Sequence, residues 1–453
     1  MDEKHLVDRA LTCADKAMKA GADQAEAYLG AGSRLTVSAN NHQVENILQA
    51  NPAGLGLRVI ADSRQGFAYS SDFRDDALET LAGKAVFLAK AGTPDDANGL
   101  PDELARGADA GRLELHDRSL AEPDPTAAIA QVLEMEKAAY GHDKRVKGTQ
   151  ACDFSAGEEI VVVADGTGRV LSFRSTSCVL VAGVVAQEGN GPMQSAFHFS
   201  ASRSRSRLKT PEEIGAEAAR KAVSLLGAKS VRAARVPVVL SPEVASDWIG
   251  NIFHCLDGEA ALKNTTFLSD KLGRRIGSDL VTLVDDGIKP YGIMSRPFDA
   301  EGVATARNVL IEKGLCSRFA YDTYAARRAG KRSTGNASRG YDSPPGIGHH
   351  NLYLQPGQNT VEELVSGVDN GLYVVSTGAF GFDPNTGDYS YEAAGLWIRD
   401  GAFSFPVHEI TIASNSLDML AAVDMVADDL NFKGAVNSPT IRIAEMALSG
   451  RES

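Results

Sequence analysis

The sequence predicts an α+β protein, with helices packed on a mainly antiparallel sheet and a β-rich C-terminal region after them. Three observations carry this. Four segments in the first half repeat apolar residues at helical spacing. Beside them, Val- and Ser-rich runs alternate with glycines, the texture of an antiparallel meander. After residue 241 the chain is mostly short strand patterns and loops.

In order, residues 5–20 place Val7, Ala10, Leu11, Ala14, Ala17 and Met18 on one helical face, and Gly21 stops the helix. Residues 34–39 alternate as a strand. Residues 54–61 and 66–69 form a hairpin around Asp62 and Ser63. A second helix spans 75–90 on Leu78, Leu81, Ala82, Ala85 and Leu88, and 92–125, rich in Asp, Gly and Pro, reads as a long loop. Residues 126–140 are a third helix. Strand patterns follow at 159–165, 170–174, 178–187 and 195–202. Thr210-Pro211-Glu212-Glu213 opens a fourth helix over 211–226. The basic segment 229–235 is read as a linker, which divides the chain into an N-terminal α/β domain (1–228) and a C-terminal β-rich domain (236–453).

Composition narrows the function classes. With 43% hydrophobic residues in 453, the chain can bury a core and is not a disordered protein. A net charge of −13 argues against a dedicated nucleic-acid binder, so no direct nucleic-acid partner is expected. The five cysteines, at 13, 152, 178, 255 and 316, form no CxxC pair, and their odd number fits reduced thiols in the cytoplasm. Met-Asp-Glu-Lys does not open a signal peptide. The longest apolar run, 178–186, is far short of the roughly 20 residues of a membrane span, so no membrane association is expected.

Several motifs fail on inspection. Gly54-Leu55-Gly56 lacks the third glycine of a dinucleotide fingerprint and lies inside a strand, where it marks a bulge or a tight backbone contact. There is no phosphate-binding GxxxxGK[ST] and no GxSxG; Ser338 in GNASRG is a near miss in a loop. His408-Glu409 sits in an alternating strand pattern with no second histidine at zinc spacing. His349 and His350 are adjacent and make a poor chelate. Two cationic stretches stand out. Arg203, Arg205 and Arg207 would share one face of a strand, either solvated or docking an acidic partner. Arg327, Arg328, Lys331, Arg332 and Arg339 either recognise a carboxylate or neutralise a helix C-terminus.

The most informative segment is the helix from Ser241. Ser241 caps it and Pro242 takes the first position. Val244, Ala245, Trp248, Ile249, Ile252 and Leu256 make an apolar stripe, with His254, Asp247 and Asn251 opposite. Further on come the motifs Pro297-Phe298-Asp299-Ala300-Glu301-Gly302, Ser333-Thr334-Gly335-Asn336-Ala337, Thr386-Gly387-Asp388-Tyr389-Ser390 and Phe405–Ala413. Together with this helix they resemble the TldD/PmbA family, also called the modulators of DNA gyrase, over almost the whole chain.

The resemblance implies an N-terminal α/β domain, a barrel-like C-terminal domain, and a two-chain zinc metalloprotease acting on peptides or unfolded chains. In the TldD branch, HExxxH on this helix and a C-terminal cysteine hold the zinc. Counted back from Thr265 and Thr266, which the family shares, that motif falls on Ile249 to His254, with Gly250 at the general-base glutamate. Only His254 remains, and no cysteine follows Cys316. The chain therefore resembles the PmbA (TldE) branch, a subunit without catalytic residues, metal or cofactor of its own, the zinc lying on a TldD-like partner. Arg327, Arg328, Arg332, Ser333, Thr334, His349, His350, Asp388 and Tyr389 are the expected substrate or partner contacts. A rival reading is a regulatory protein that binds gyrase or a toxin–antitoxin pair without protease activity. A third is a homodimer with a different active site, for which no nucleophile and base are found.

Overall fold

The computed structural model describes residues 2–105, 110–378 and 381–450. The first half is built on one sheet. Its strands are β1 (Gln24–Asn40), β2 (Gln43–Ala50), β3 (Ala53–Ala61), β4 (Arg64–Ser70), β5 (Val146–Asp165), β6 (Val170–Ala186) and β7 (Gln194–Ser202). The order is β4-β3-β1-β5-β6-β7, with β2 on β1, and every pair is antiparallel. Strand side chains alternate between faces. Leu29, Leu35 and Val37 of β1, with Phe154, Ile160 and Val162 of β5, point to one face. There they meet the helices Glu3–Lys19, Asp75–Ala91, Pro125–His142 and Pro211–Ser224. Tyr28, Val161 and Val163 point to the other face and pack with Phe298, Ala300 and Ala337 of the second half. The sheet is thus covered on both sides.

The second half contains β8 (Ala234–Leu240), β9 (Leu283–Asp286), β10 (Arg307–Glu312), β11 (Leu315–Cys316), β12 (Ala337–Ser338), β13 (Gly346–Ile347) and β14 (Asn351–Leu354). It continues with β15 (Asn370–Thr377), β16 (Asp388–Arg399), β17 (Ala402–Asn415), β18 (Val423–Val426), β19 (Val436–Asn437) and β20 (Ile441–Gly450). β8, β15, β16, β17 and β20 pair in a ring, a closed five-stranded barrel that leaves no open edge among them. A second sheet runs β11-β10-β9-β14-β19. The helix Pro242–Cys255 packs against β8, β14, β15 and β19, and Trp248, Ile249 and Phe253 fill the core between barrel and sheet.

The helices, the 62–63 hairpin and the barrel-like second half follow the sequence closely. Asp62 and Ser63 both take positive φ, 50° and 60°, as that two-residue turn requires. Three expectations change. The pieces at 170–174 and 178–187 are one strand, and β5 starts thirteen residues before the predicted 159, at Val146. Gly157 lies inside β5, paired with Arg34 and Ser177, where the strands approach so closely that a Cβ would lie 1.9 Å from the Ser33 carbonyl oxygen and a glycine is required. The 92–125 loop carries the short helices Ala110–Leu113 and Arg118–Ala121. Arg203, Arg205 and Arg207 do not share a strand face: β7 ends at Ser202 and Arg205–Arg207 is a 3-10 turn. Arg203 is buried and donates to the carbonyls of Thr176 (3.2 Å), Gly292 (3.3 Å) and Ser295 (3.4 Å), so its guanidinium fills a seam instead of a surface.

Between the end of the Pro211–Ser224 helix and β8, Lys229 N donates to Pro406 O at 3.0 Å. The two halves also meet at Glu243, whose carboxylate lies 2.7 Å from Lys221 Nζ and 3.2 Å from Lys433 Nζ. Burial pushes this acid up, but the two ammonium groups outweigh it and bring it down to about 2. An acid lowered in the folded state stabilises above its unfolded pKa, roughly 4.3, and loses that contribution as pH falls. Glu243→Gln is therefore expected to lower Tm at neutral pH. The gap between variant and wild type should close as pH drops from about 5 to about 2; a gap that persists at the acid end would assign the effect to packing.

Candidate functional site

The helix Pro242–Cys255 starts as its residues dictate, with Ser241 Oγ accepting the Val244 N–H at 3.5 Å. Ile249 is 2% exposed and belongs to the packed core. Gly250 faces open space, with nothing within 4 Å of where a Cβ would stand. His254 is exposed near the helix end. Partial desolvation and the nearby His349 lower its pKa. The rings of Phe253 and His349 meet edge-on at 5.2 Å.

His350 is buried. Its backbone N–H donates to Asp285 Oδ1 at 2.6 Å, and its Nδ1 lies 3.1 Å from Oδ2. Asn336 Nδ2 donates to the same Oδ2 at 2.7 Å. Burial raises Asp285, but these donors hold it below the ordinary carboxylate range. Asn308 Nδ2 reaches Thr334 O at 3.0 Å, and Arg318 Nη1 reaches Asn308 Oδ1 at 2.7 Å. Thr334 Oγ1 accepts the Tyr321 N–H at 2.8 Å, and Ser333 Oγ donates to Tyr321 O at 3.2 Å. The Ser-Thr-Gly-Asn-Ala motif thus spends its side chains on one internal polar network.

The remaining expected contacts are dispersed. Arg327 Nη2 donates to Leu100 O at 2.6 Å and Asp102 Oδ1 at 3.2 Å, and Arg328 Nη1 reaches Asp95 Oδ2 at 3.2 Å. Both tie the Thr323–Arg328 helix to the 95–102 segment. Arg332 is exposed and lines a cleft of about 430 Å³ with Arg318, Lys331, Phe319 and Tyr321. Asp388 is exposed and accepts the Asn415 amide at 3.1 Å. Tyr389 is 3% exposed and part of the core. His408-Glu409 forms a bulge in β17, where Ala393 pairs Ile410 and Gly395 pairs Val407.

The sequence singled out Arg339 and the Pro-Phe-Asp-Ala-Glu-Gly motif but not what joins them. Buried Arg58 reaches Glu301 Oε1 at 2.8 Å and Glu26 Oε2 at 3.2 Å, and Arg339 pairs with Glu26 from the other half of the chain. Glu301 Oε2 also accepts the Thr323 N–H at 2.8 Å. Asp299 accepts the N–H groups of Glu301, Val303 and Ala337. The signal was present: Arg58 interrupts the apolar run of β3, and Glu26 that of β1.

The residues of this chain do not fit a zinc ion. A catalytic zinc takes three protein ligands. At the positions of the family motif stand a core isoleucine, a glycine and one histidine. All five cysteines are buried, and burial pushes the thiol of Cys255 up to about 11 and those of Cys13, Cys152, Cys178 and Cys316 up to about 12. Among the described residues no three His, Cys, Asp or Glu side chains converge on a metal position.

The chain matches known proteins along most of its length. Residues 25–89, 118–226 and 233–450 match the models of PmbA/TldA metallopeptidase domain 1, its central domain and its C-terminal domain. Metalloprotease PmbA of Escherichia coli O157:H7 is 30% identical over 449 residues, covering 99% of this chain and 97% of that protein. A candidate modulator of DNA gyrase from Bacteroides thetaiotaomicron superposes with a TM-score of 0.90 at 24% identity, over 100% of both chains. TldE from Thermococcus kodakarensis does so at 0.86 and 23%, over 96% of this chain and 98% of its own. On its own residues, its architecture and these matches, the chain belongs to the PmbA/TldD metallopeptidase family.

Proposed function

We propose that this chain is the non-catalytic subunit of a heterodimeric zinc metalloprotease, acting with a TldD-like chain on peptides and unfolded chains in the cytoplasm. The observation that carries it is the Pro242–Cys255 helix. It keeps the frame of the family's metal-binding helix while Ile249 is turned into the core, Gly250 replaces the base, and His254 stands without a second ligand. One histidine neither holds a zinc ion nor deprotonates a metal-bound water. The likeness to a TldE supports a partnership of this kind. Five buried, unpaired cysteines fit a reducing compartment. No helix among the described residues is long and apolar enough to cross a membrane.

In this reading the subunit walls one side of the chamber and holds the peptide backbone, by strand addition where an edge is open. The test is reconstitution. The purified chain alone should cleave an unstructured reporter peptide no faster than buffer. An equimolar mixture with a TldD-like chain from the same genome should cleave it at least about 10²-fold faster, with zinc held by that partner. Chelator-sensitive cleavage by this chain alone would overturn the proposal, as would a mixture no more active than the partner by itself.

A further inference from the structure

The chain carries 59 acidic against 46 basic residues, yet the lining of its 430 Å³ cleft includes Arg318, Lys331 and Arg332 and no carboxylate. All three cations are exposed. Arg318 lines the cleft and donates from Nη1 to Asn308 Oδ1 at 2.7 Å, and Asn308 in turn donates to Thr334 O at 3.0 Å. Lys331 and Arg332 lie on the turn between the Thr323–Arg328 helix and the buried Asn336. Beside the cations run Leu272, Phe319 and Tyr321, an apolar wall. A neighbouring cleft of about 380 Å³ shares Ala304, Lys331, Arg332 and Ser333, and its lining adds Pro101 with the carboxylates of Asp102 and Glu103, so the anion-free lining is that of the first cleft alone. The floor of the first is tied to the end of the His254 helix, where Ala320 N donates to Leu256 O at 2.9 Å and Gly258 N to Ala320 O at 2.8 Å.

Three cations on one wall repel each other until an anion joins them, and a guanidinium fork is shaped for a carboxylate. An anion flanked by an apolar surface describes the end of a peptide. We infer that this cleft takes the free α-carboxylate of a peptide whose last side chain is apolar, with the chain running from there past the end of the His254 helix. This rests on the peptide-processing reading above and deepens it: such an anchor would sort substrates by their C-terminus, on the subunit that performs no chemistry.

The experiment measures binding to this chain alone, so that it does not depend on the protease reaction. Two fluorescein-labelled unstructured decapeptides ending in leucine are compared by anisotropy, one with a free C-terminal acid and one amidated. The acid is expected to bind at least about tenfold tighter, with a preference that shrinks as salt rises. The exposed double variant Lys331→Gln/Arg332→Gln should bind both peptides alike, with an unchanged circular dichroism spectrum and Tm. Equal affinity for acid and amide overturns the inference. So does a preference that survives the double variant, or an amidated peptide with an internal glutamate that binds as tightly as the free acid. Failure here with successful reconstitution removes only the anchor; a clear preference with failed reconstitution leaves the anchor and removes the protease subunit.

Discussion

Replacing Arg58 with methionine is expected to destabilise the protein by about 3–5 kcal/mol, the usual cost of removing one partner from a buried ion network. Arg58 is 2% exposed and bridges Glu26, on the same sheet, with Glu301 from the other half of the chain. Arg339 crosses in the opposite sense, pairing with Glu26 while its guanidinium stands 4.8 Å over the ring of Tyr28. Two arginines thus balance two glutamates where neither pair is solvated. The fifth member, Asp299, is raised by burial and by the charge of Glu301, against the pull of the N–H groups it accepts. The balance leaves no spare cation. Without Arg58, Glu301 keeps its hydrogen bonding to Thr323 but loses the cation that pairs with it. Urea unfolding should show the loss in the midpoint. Arg64→Ala, which breaks a pair whose Asp62 partner is 78% exposed, should change stability by under about 0.5 kcal/mol. A similar small effect at Arg58 would mean that water enters the network.

That network also shows where reading a sequence stops. The Pro242–Cys255 helix was legible because its stripe, its cap and its following motifs are local. Setting Ile249 and Gly250 against the zinc ligand and the base of the family motif needs only a short count back from Thr265 and Thr266. The role of Arg58, Glu26 and Arg339 was not legible, since Arg58 and Glu26 look like faults in apolar strands and Arg339 like one more loop cation until the partner from a distant segment is known. The same holds at Arg203, which reads as a surface cation and is a buried clamp on three carbonyls. Ser333 and Thr334 read as substrate contacts; that they also bond Tyr321 was not legible, and both line the 430 Å³ cleft. Periodicity reports which face is buried; it does not report which polar groups find partners there.

Gly54→Ala is expected to cost about 1–3 kcal/mol through overpacking, and Tyr341→Ala in the same chain should recover most of it. The added Cβ would stand 2.3 Å from the Tyr341 ring, which lies across β3 where the two halves meet. The ring can be removed, so the pair should be strongly non-additive. Gly56 makes the opposite case from the same strand. Its Cβ would stand 2.3 Å from the Tyr341 carbonyl oxygen, which truncating the side chain leaves in place. Gly56→Ala should therefore stay destabilising in the Tyr341→Ala background. This contrast separates a ring seated on glycines from a backbone seated on them, and it explains why Gly54-Leu55-Gly56 has the spacing of a nucleotide motif without its function. If Tyr341→Ala rescued both variants equally, the segment would be able to move as a unit. The seam that positions Arg339 would then be softer than its contacts imply.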